Sequence, residues 1–302
     1  MPTPENFFAP HRATTNMLYS MLLILLLPFL TSAQQKDKKA QAAPAAPPIL
    51  TRTTTRHETR RLSFGSTITI LGAPAGSITI EGWNKSEVDI TAEIELHAST
   101  EEDLSLLAQV NSFTVDKDGN HLRIITTGTH DKKFLKQAFK DFPKRLVGLP
   151  WKIDYHIRMP VMCDLDIDAG QGAINLSGVE GAISLKAVQS DAQLTLTGGI
   201  FGATIASGKV NVRIAARSWR GRGAEIRVAA GDVTVELPTG FSGDINADVL
   251  RTGKVENAYT ALEPREDTKA TERSLQARAG AGGAVLILTV GDGTINIKSS
   301  DK

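Results

Sequence analysis

The sequence predicts an all-β domain of the β-solenoid class, and three observations support this prediction. Between positions 170 and 196 the phrase Gly-x-Ile-x-Leu occurs three times in related form, nine residues apart. Short β-branched runs of alternating polarity recur through most of the chain, separated by Gly, Asp, Asn or Ser. Aromatic residues make up only 5% of the 302 residues, which suits a thin core of aliphatic and small side chains.

The chain is predicted to begin with a signal peptide, residues 1–33. An apolar run, 21–30, comes after His11 and Arg12 and before Thr-Ser-Ala, whose small residues fit cleavage after Ala33. The run is roughly half as long as a membrane-spanning helix, so no transmembrane anchor is expected. We therefore expect an exported protein, located in the periplasm, at the cell surface or outside the cell.

The rest of the chain is predicted to be a linker and one domain. Residues 34–50 are rich in Ala, Pro, Gln and Lys and are expected to be disordered, because they supply little apolar area to offset the loss of backbone entropy. Residues 51–302 are predicted to fold as a single domain with about fifteen strands. Within it, the polar stretch 256–283 is expected to be a long loop before the last two strands.

Two insertions between the strands are predicted to be helical. Residues 99–113 begin with a Ser-Thr cap and an acidic first turn, and they place Leu104, Leu107 and Ala108 at helical spacing. Residues 131–147 form a basic amphipathic stretch, which its proline should end. The apolar face of this second helix comprises Phe134, Leu135, Ala138, Phe139 and Phe142.

The nine-residue unit favours a stacked coil. One unit supplies a strand and a turn and cannot bury its apolar side alone. If two units make one coil, Leu176 stacks on Leu194 and Ile174 on Ala192 in ladders of an aliphatic interior. The alternative is an antiparallel β-sandwich with the same turn spacing. Near-identical units at a fixed period favour the solenoid.

The cysteine count and the charge balance limit two further properties, disulfide bonding and binding to nucleic acid. Cys163 is the only cysteine, so an intrachain disulfide is impossible. It lies in phase with Leu165 and Ile167 and is expected to be an inert buried thiol, with a reactive or intermolecular thiol as the alternative. The 34 basic and 33 acidic residues nearly balance, which argues against non-specific binding to nucleic acid.

A series of phrases runs in order through the predicted domain. Residues 63–95 contain a strand, a Gly-Ser-Ile turn and a Gly-Trp-Asn phrase before a charged Glu-Val. "YHIRMPVMCDLDIDAGQGAINLSGVEGAISL", "GDVTVELP" and "GAGGAVLILTVGDGTINIKS" follow. Across roughly residues 56–298 this succession resembles the bacterial putative-adhesin family of β-helical domains, and the resemblance implies an envelope-associated or secreted scaffold. The insertion 131–147 departs from the family pattern, as do Ser190 and Ala192, which replace Gly and Ile of the repeat.

The sequence lacks the motifs that mark common catalytic sites. It contains no Gly-x-Ser-x-Gly elbow, phosphate-binding loop, Gly-x-Gly-x-x-Gly or His-Glu-x-x-His, and its six histidines are scattered. The chain is therefore predicted to be non-enzymatic, without cofactor or metal. Asp164, Asp166 and Asp168 share one face of a strand. We expect a solvated outer face that discourages aggregation at sheet edges, with a calcium- or sugar-binding edge as the alternative.

The insertion 131–147 is one candidate binding surface. A basic helix with phenylalanines opposite its lysines can lie on an anionic lipid surface. It can also dock its apolar side on its own domain and cap an open end of the solenoid. We predict the cap, with Phe134, Phe139 and Phe142 buried. The lysines of this surface are Lys132, Lys133, Lys136 and Lys140.

A second candidate surface gathers Arg217, Arg220 and Arg222 around Trp219. The indole could stack on a sugar ring while the arginines hold an anionic polymer. We expect instead that Trp219 covers an edge of the coil and that the arginines remain in water.

The predicted function is that of an exported, non-enzymatic scaffold, adhesin-like or binding module of the bacterial cell envelope, with a protein or polysaccharide partner. The alternative is a polysaccharide-active enzyme, a lyase or hydrolase on a β-helix, because fold alone does not decide function. Geometry separates the two. An enzyme brings acidic and basic side chains together in one groove, whereas a scaffold disperses them.

Overall fold

The computed structural model describes residues 49–265 and 270–300. The predicted signal peptide and residues 34–48 of the predicted linker lie outside this part of the chain. In the described residues the strands are β1 (Leu50–Arg61), β2 (Thr67–Ala75), β3 (Ile78–Trp83), β4 (Glu87–Ala98), β5 (Ser112–Asp118), β6 (His121–Thr127), β7 (Trp151–Pro160), β8 (Asp164–Gln171), β9 (Ile174–Ser177), β10 (Ala182–Gln189), β11 (Ala192–Leu196), β12 (Gly198–Ser207), β13 (Val210–Ile214), β14 (Arg220–Ala230), β15 (Val233–Leu237), β16 (Gly243–Thr252), β17 (Val255–Asn257), β18 (Leu262–Pro264), β19 (Ser274–Ala279), β20 (Val285–Asp292) and β21 (Ile295–Ser299). The helices are α1 (Glu101–Val110) and α2 (Lys132–Ala138), with one 3-10 turn at Lys144–Leu146.

The strands form two open mixed sheets. Sheet A has the order β1-β4-β7-β3-β9-β11-β13-β15-β21-β17, and sheet B has the order β18-β19-β16-β20-β14-β12-β10-β8-β2-β6-β5. From β8 to β15 successive strands alternate between the two sheets, and each strand from β8 to β13 pairs in parallel with the strand two further along. Because parallel neighbours need a crossover connection, the strand between them lies in the other sheet. The all-β prediction is confirmed.

Equivalent residues of the repeat pair in register. Leu194 pairs with Leu176 and Ala192 with Ile174, which is the pairing predicted from the nine-residue unit. The Asp164 carboxylate accepts a hydrogen bond of 2.8 Å from the amide of Ala182, 18 residues further along the chain. Two nine-residue units therefore separate each strand from its parallel partner for the pairs β8/β10, β9/β11, β10/β12 and β11/β13.

One hydrophobic cluster lies between the sheets and is built from alternate residues of their strands. Ile167 and Leu185 come from sheet B, and Leu176 and Leu194 come from sheet A. Cys163 belongs to the same cluster, as its phase in the sequence predicted, and burial raises the pKa of its thiol. The outer faces of the two sheets are the sides that point away from this cluster.

The two inserted helices differ in how well the sequence predicted them. Helix α1 forms as expected: the Thr100 hydroxyl caps it by accepting a hydrogen bond of 3.1 Å from the amide of Asp103. Leu104 and Leu107 are buried, whereas Ala108 is exposed. Helix α2 is shorter than predicted, because Phe139 adopts an extended backbone with φ −140° and ψ 90° and ends the helix before the proline.

The prediction of a long loop over residues 256–283 is wrong. Within its described residues, β18 and β19 extend sheet B by pairing antiparallel, β19 with β16 and β18 with β19. Strand β19 buries Leu275, Ala277 and Ala279 on alternate positions, and the residues between them are polar. Two small alanines give a weak apolar signal, so the alternation becomes evident only when β16 lies beside it.

Strand β16 contributes a buried carboxylate, Asp244, beside its partner strand β19. Its Oδ1 lies 2.8 Å from Nε of Arg278 and 3.1 Å from a guanidinium nitrogen of Arg265. The hydrogen bond from Arg278 outweighs the opposing effect of burial and lowers the pKa of Asp244 below its ordinary value of 3.8. Ionised Asp244 therefore stabilises the packing of β16 against β19.

We expect Asp244→Asn to lower the free energy of unfolding by about 1–2 kcal/mol near neutral pH, where both arginines lose a charged partner. Because the folded-state pKa is lowered, the stabilisation is complete above the unfolded-state pKa and is lost as pH falls through the folded-state pKa. Urea denaturation at about pH 7 and about pH 3 measures the effect: the difference between wild type and variant should shrink at the lower pH.

Asp168→Asn is the matched control, because it removes an exposed carboxylate that makes no ion pair among the described residues. Its effect at about pH 7 should lie within about 0.5 kcal/mol. A difference between wild type and Asp244→Asn that stays the same at both pH values would contradict the assigned role of the ionised carboxylate.

Candidate functional site

Two shallow depressions lie side by side on the outer face of sheet B. The first is lined by residues near the starts of its central strands, and its floor is low because Ala182, Ser184 and Gly202 carry small side chains or none. The second lies near the ends of the same strands, over Ala206 and Ala229. Both depressions follow from small residues at outward positions of β10, β12 and β14.

Apolar side chains stand exposed beside these floors. Ile200 is 45% exposed at the first depression, and its register neighbours Ala182 and Gly223 are too small to cover it. Val188 and Leu250 are 57% and 63% exposed at the second depression. These are outward positions, where an isolated solvent-facing sheet normally places polar residues. Clustered exposed apolar side chains of this kind mark interaction surfaces.

Charged residues of both signs surround the apolar floors. Asp166, Arg222 and Glu225 line the first depression, and Asp168, Lys186, Arg227 and Arg251 line the second. Two ion pairs hold part of this rim: Arg227 with Glu225, and Arg251 with Asp292 at 2.5 Å. Within the described part of the chain, Arg222 and Lys186 make no ion pair, so their charges remain available to a partner.

The acidic row predicted on β8 faces outward, as expected for a solvated face. Asp164, Asp166 and Asp168 are exposed on alternate positions. Asp164 has a structural role, since it accepts the hydrogen bond from Ala182 on the next strand of the sheet. In residues 49–265 and 270–300, no group of three or more His, Cys, Asp or Glu side chains is placed to hold a metal ion.

The structure disperses the second predicted patch. Trp219 is only 6% exposed, belongs to the core cluster and donates a hydrogen bond of 3.0 Å to the carbonyl of Gly199. Its ring is therefore covered and unable to stack on a sugar. Arg220 pairs with Glu180 at 2.5 Å, whereas Arg222 lies at the first depression and Arg217 is exposed. The four residues do not form one site.

The structure keeps the lysines of the first predicted patch together. Lys132, Lys133, Lys136 and Lys140 are all exposed around α2. The prediction that Phe134, Phe139 and Phe142 are buried is wrong, because each is only partly buried, although Phe142 packs against the core cluster. Leu135 and Leu146 are buried instead. The early end of α2 explains the difference, since the later phenylalanines no longer share the helical face.

Sequence reasoning missed a cluster on the outer face of sheet A. The Arg158 guanidinium lies 4.6 Å from the ring centre of Trp83, and Lys85 lies 4.5 Å from the same ring centre. Asp89 forms an ion pair with Arg158, and its Oδ1 lies 2.5 Å from Nε2 of His57. Burial opposes ionisation of Asp89, but the hydrogen bonds from Arg158 and His57 outweigh it and lower the pKa of this carboxyl.

The cluster on sheet A depends on strand pairing rather than on sequence spacing. Asp89 on β4 and Arg158 on β7 are register partners. His57 on β1 lies opposite Thr91 of β4. Its members are distant in sequence, so no local motif could have revealed it. The ion pair of Asp89 with Arg158 joins the antiparallel strands β4 and β7, and the stacking of Arg158 on Trp83 joins β7 to its parallel neighbour β3.

No helix in the described residues is long and apolar enough to span a membrane.

Comparison with models of known protein families gives no match, and comparison with curated proteins gives none either. Among solved structures, a putative cell adhesion protein from Clostridium sporogenes ATCC 15579 is 14% identical with a TM-score of 0.43, covering 82% of this chain and 100% of that chain. A putative adhesin from Bacteroides fragilis NCTC 9343 is 13% identical with a TM-score of 0.30, covering 81% and 97%. A putative lipid binding protein from Parabacteroides distasonis ATCC 8503 is 14% identical with a TM-score of 0.26, covering 82% and 95%. Similarity at this level assigns neither a family nor a function to the chain.

Proposed function

We propose that this protein is an exported, non-enzymatic binding module of the bacterial cell envelope, built as a two-sided β-solenoid. The alternation of β8 to β15 between the sheets and the in-register pairing of the repeat support the solenoid. The single observation that supports binding is the pair of apolar depressions on the outer face of sheet B, ringed by charge. The proposed occupant of this face is a protein.

The side chains around the depressions favour a protein over a polysaccharide. Aromatic rings supply broad apolar area with a defined geometry, which suits them to stack on flat ligands such as sugar rings. Among the residues that line the two depressions, the aromatic one is Phe201, and it is buried in the core. An apolar centre within a rim of mixed charge is instead the usual composition of a protein–protein interface.

The arrangement of the charges favours a binding module over an enzyme. The acidic and basic groups are distributed over two depressions, and some of them neutralise one another, as Glu225 and Arg227 do. Neither depression is lined by histidine or cysteine in the described part of the chain. General acid–base catalysis needs an acidic and a basic group that are both within hydrogen-bond reach of the reacting atoms.

We expect the double variant Ile200→Asp with Leu250→Asp to weaken partner binding at least about tenfold, because each substitution places a charge in the apolar centre of the interface. The chain is purified after export from a bacterial host, with Gln34 expected as its first residue, and used to capture an envelope protein. The captured protein is then purified, and its affinity for wild type and variant is measured by calorimetry.

Gln193→Asp with Asn296→Asp is the matched control, since it adds the same charge to the outer face of sheet A. This control should bind with unchanged affinity. Equal affinity of the wild type and the sheet-B variant would refute the binding face. Cleavage of acidic or neutral polysaccharides by the wild type would instead support the alternative of a polysaccharide-active enzyme.

A further inference from the structure

The segment 131–147 has a net positive charge, with six basic residues against the two carboxylates Asp131 and Asp141. Five lysines of the segment are exposed, and none makes an ion pair or a side-chain hydrogen bond within the described part of the chain. Several lysines elsewhere do have partners: Lys152 lies 3.3 Å from Glu95, and Lys254 lies 2.6 Å from Glu256. The unpaired lysines are Lys132, Lys133, Lys136, Lys140 and Lys144.

The segment is fixed to the domain on its other side. Asp131 caps α2 by accepting hydrogen bonds of 2.8 and 3.0 Å from the amides of Lys133 and Phe134. Arg145 pairs with Asp103 of α1 at 2.5 Å, and Leu135 is buried below the helix. The capped helix, the ion pair and the buried leucine hold the backbone in place, so the lysines project from a supported surface.

Phenylalanines provide apolar surface among these lysines. The rings of Phe134 and Phe139 lie 6.2 Å apart, and those of Phe139 and Phe142 lie 6.3 Å apart, both pairs edge to face. Phe142 packs against the core, whereas all three rings remain partly exposed. A shallow cleft beside α2 adds Leu71 and Ile125 to the same surface.

We propose that residues 131–147 form a contact for an anionic lipid membrane, with the lysines on the headgroups and Phe134 and Phe139 at the boundary of the acyl chains. Basic segments with phenylalanine on an adjoining surface bind lipid interfaces in this way. Phenylalanine favours lipid over an acidic polysaccharide, because it lacks the polar atom with which Trp or Tyr would bond a sugar. The membrane contact goes beyond the proposed function and does not depend on the sheet-B face.

Co-sedimentation with vesicles that contain phosphatidylglycerol tests the contact on the exported chain. The quadruple variant Lys132→Gln, Lys133→Gln, Lys136→Gln and Lys140→Gln should bind these vesicles on the order of 100-fold more weakly than wild type. Binding of the wild type should weaken with salt and disappear on vesicles of phosphatidylcholine alone. Urea denaturation should give equal stability for wild type and variant, since the replaced side chains are exposed and unpaired.

The matched control removes four exposed lysines outside both sheet-B depressions: Lys117→Gln, Lys209→Gln, Lys254→Gln and Lys298→Gln. It has the same net charge as the test variant and should bind vesicles nearly as well as wild type.

Phe139→Ser should weaken vesicle binding by about tenfold while leaving binding to soluble heparin unchanged. Equal loss in both quadruple variants would show a non-specific charge effect. Binding to heparin that depends on the lysines, without binding to vesicles, would assign the segment to an acidic polysaccharide. Each of these two outcomes would overturn the membrane contact. Neither outcome affects the test of the sheet-B face.

Discussion

Gly208→Ala is expected to destabilise the domain by about 3–5 kcal/mol, because the substitution combines backbone strain with a steric clash. Gly208 has φ +138°, a backbone conformation that L-residues with a side chain rarely adopt. A Cβ at this position would lie 2.0 Å from the carbonyl oxygen of Ser190, which belongs to the corner between β10 and β11. Neither atom can move freely, since Gly208 and Ser190 both donate backbone hydrogen bonds at this corner.

Urea denaturation of the purified chain measures this loss. Gly119→Ala is the control: Gly119 has φ +58°, but nothing lies within 4 Å of the added Cβ. It should therefore cost only about 1–2 kcal/mol, the strain of a left-handed alanine. Similar losses in the two variants would show that the close approach of successive corners does not limit the residue at position 208.

Leu185→Ala is expected to cost about 2–5 kcal/mol, the range for a buried leucine whose cavity does not collapse. Leu185 is 1% exposed in the core cluster, and its neighbours in sheet B, Ile167 and Ala203, are held by parallel pairing on both sides. Those strands are fixed by their own pairings, so they cannot move inward to fill the space.

Ser184→Ala is the control for this second prediction. Ser184 is exposed on the outer face of the same strand, so its truncation should change the free energy of unfolding by less than about 0.5 kcal/mol. Equilibrium unfolding in urea compares the two. Comparable losses at Ser184 and Leu185 would contradict the inward and outward alternation along β10.

The two predictions test different requirements of the same fold. The leucine position tests the side-chain ladder between the sheets, which depends on apolar area and volume. The glycine position tests the spacing of the corners, which depends on backbone approach alone. A repeat of about nine residues has to satisfy both, since each strand from β8 to β11 pairs in parallel with the strand 18 residues further along the chain.

Local regularity explains which parts of the fold the sequence predicts well. Leu176 and Leu194 pair in register because the repeat places equivalent residues at a constant interval. Helix α1 was predictable because its cap, acidic first turn and buried leucines all lie within one short segment. Cys163 could be assigned to the core from strand alternation alone.

Regions without that regularity were predicted poorly. Strand β19 buries mainly alanines, and its weak alternation indicated a loop until β16 was seen to pair with it. Helix α2 ends at Ala138 although the apolar spacing continues to Phe142. In the candidate site, the acidic row on β8 was visible in the sequence, whereas the apolar floor beside it was not. The signal for that floor was the presence of Val188 and Ile200 at outward positions, but outward and inward are defined only once the strands have paired.

The sequence by itself determined the all-β class, the in-register repeat and the separation of inward aliphatic from outward polar residues, because these follow from period-two alternation and a constant interval. Only the tertiary structure decided which distant residues meet: Asp89 with Arg158, Asp244 with Arg278, and Ile200 beside the small floor of the first depression. The physical reason is that the pairing of strands from separate parts of the chain sets these contacts. Burial likewise depends on the neighbours that a strand acquires, which is why Trp219 lies in the core while the lysines of 131–147 remain in water.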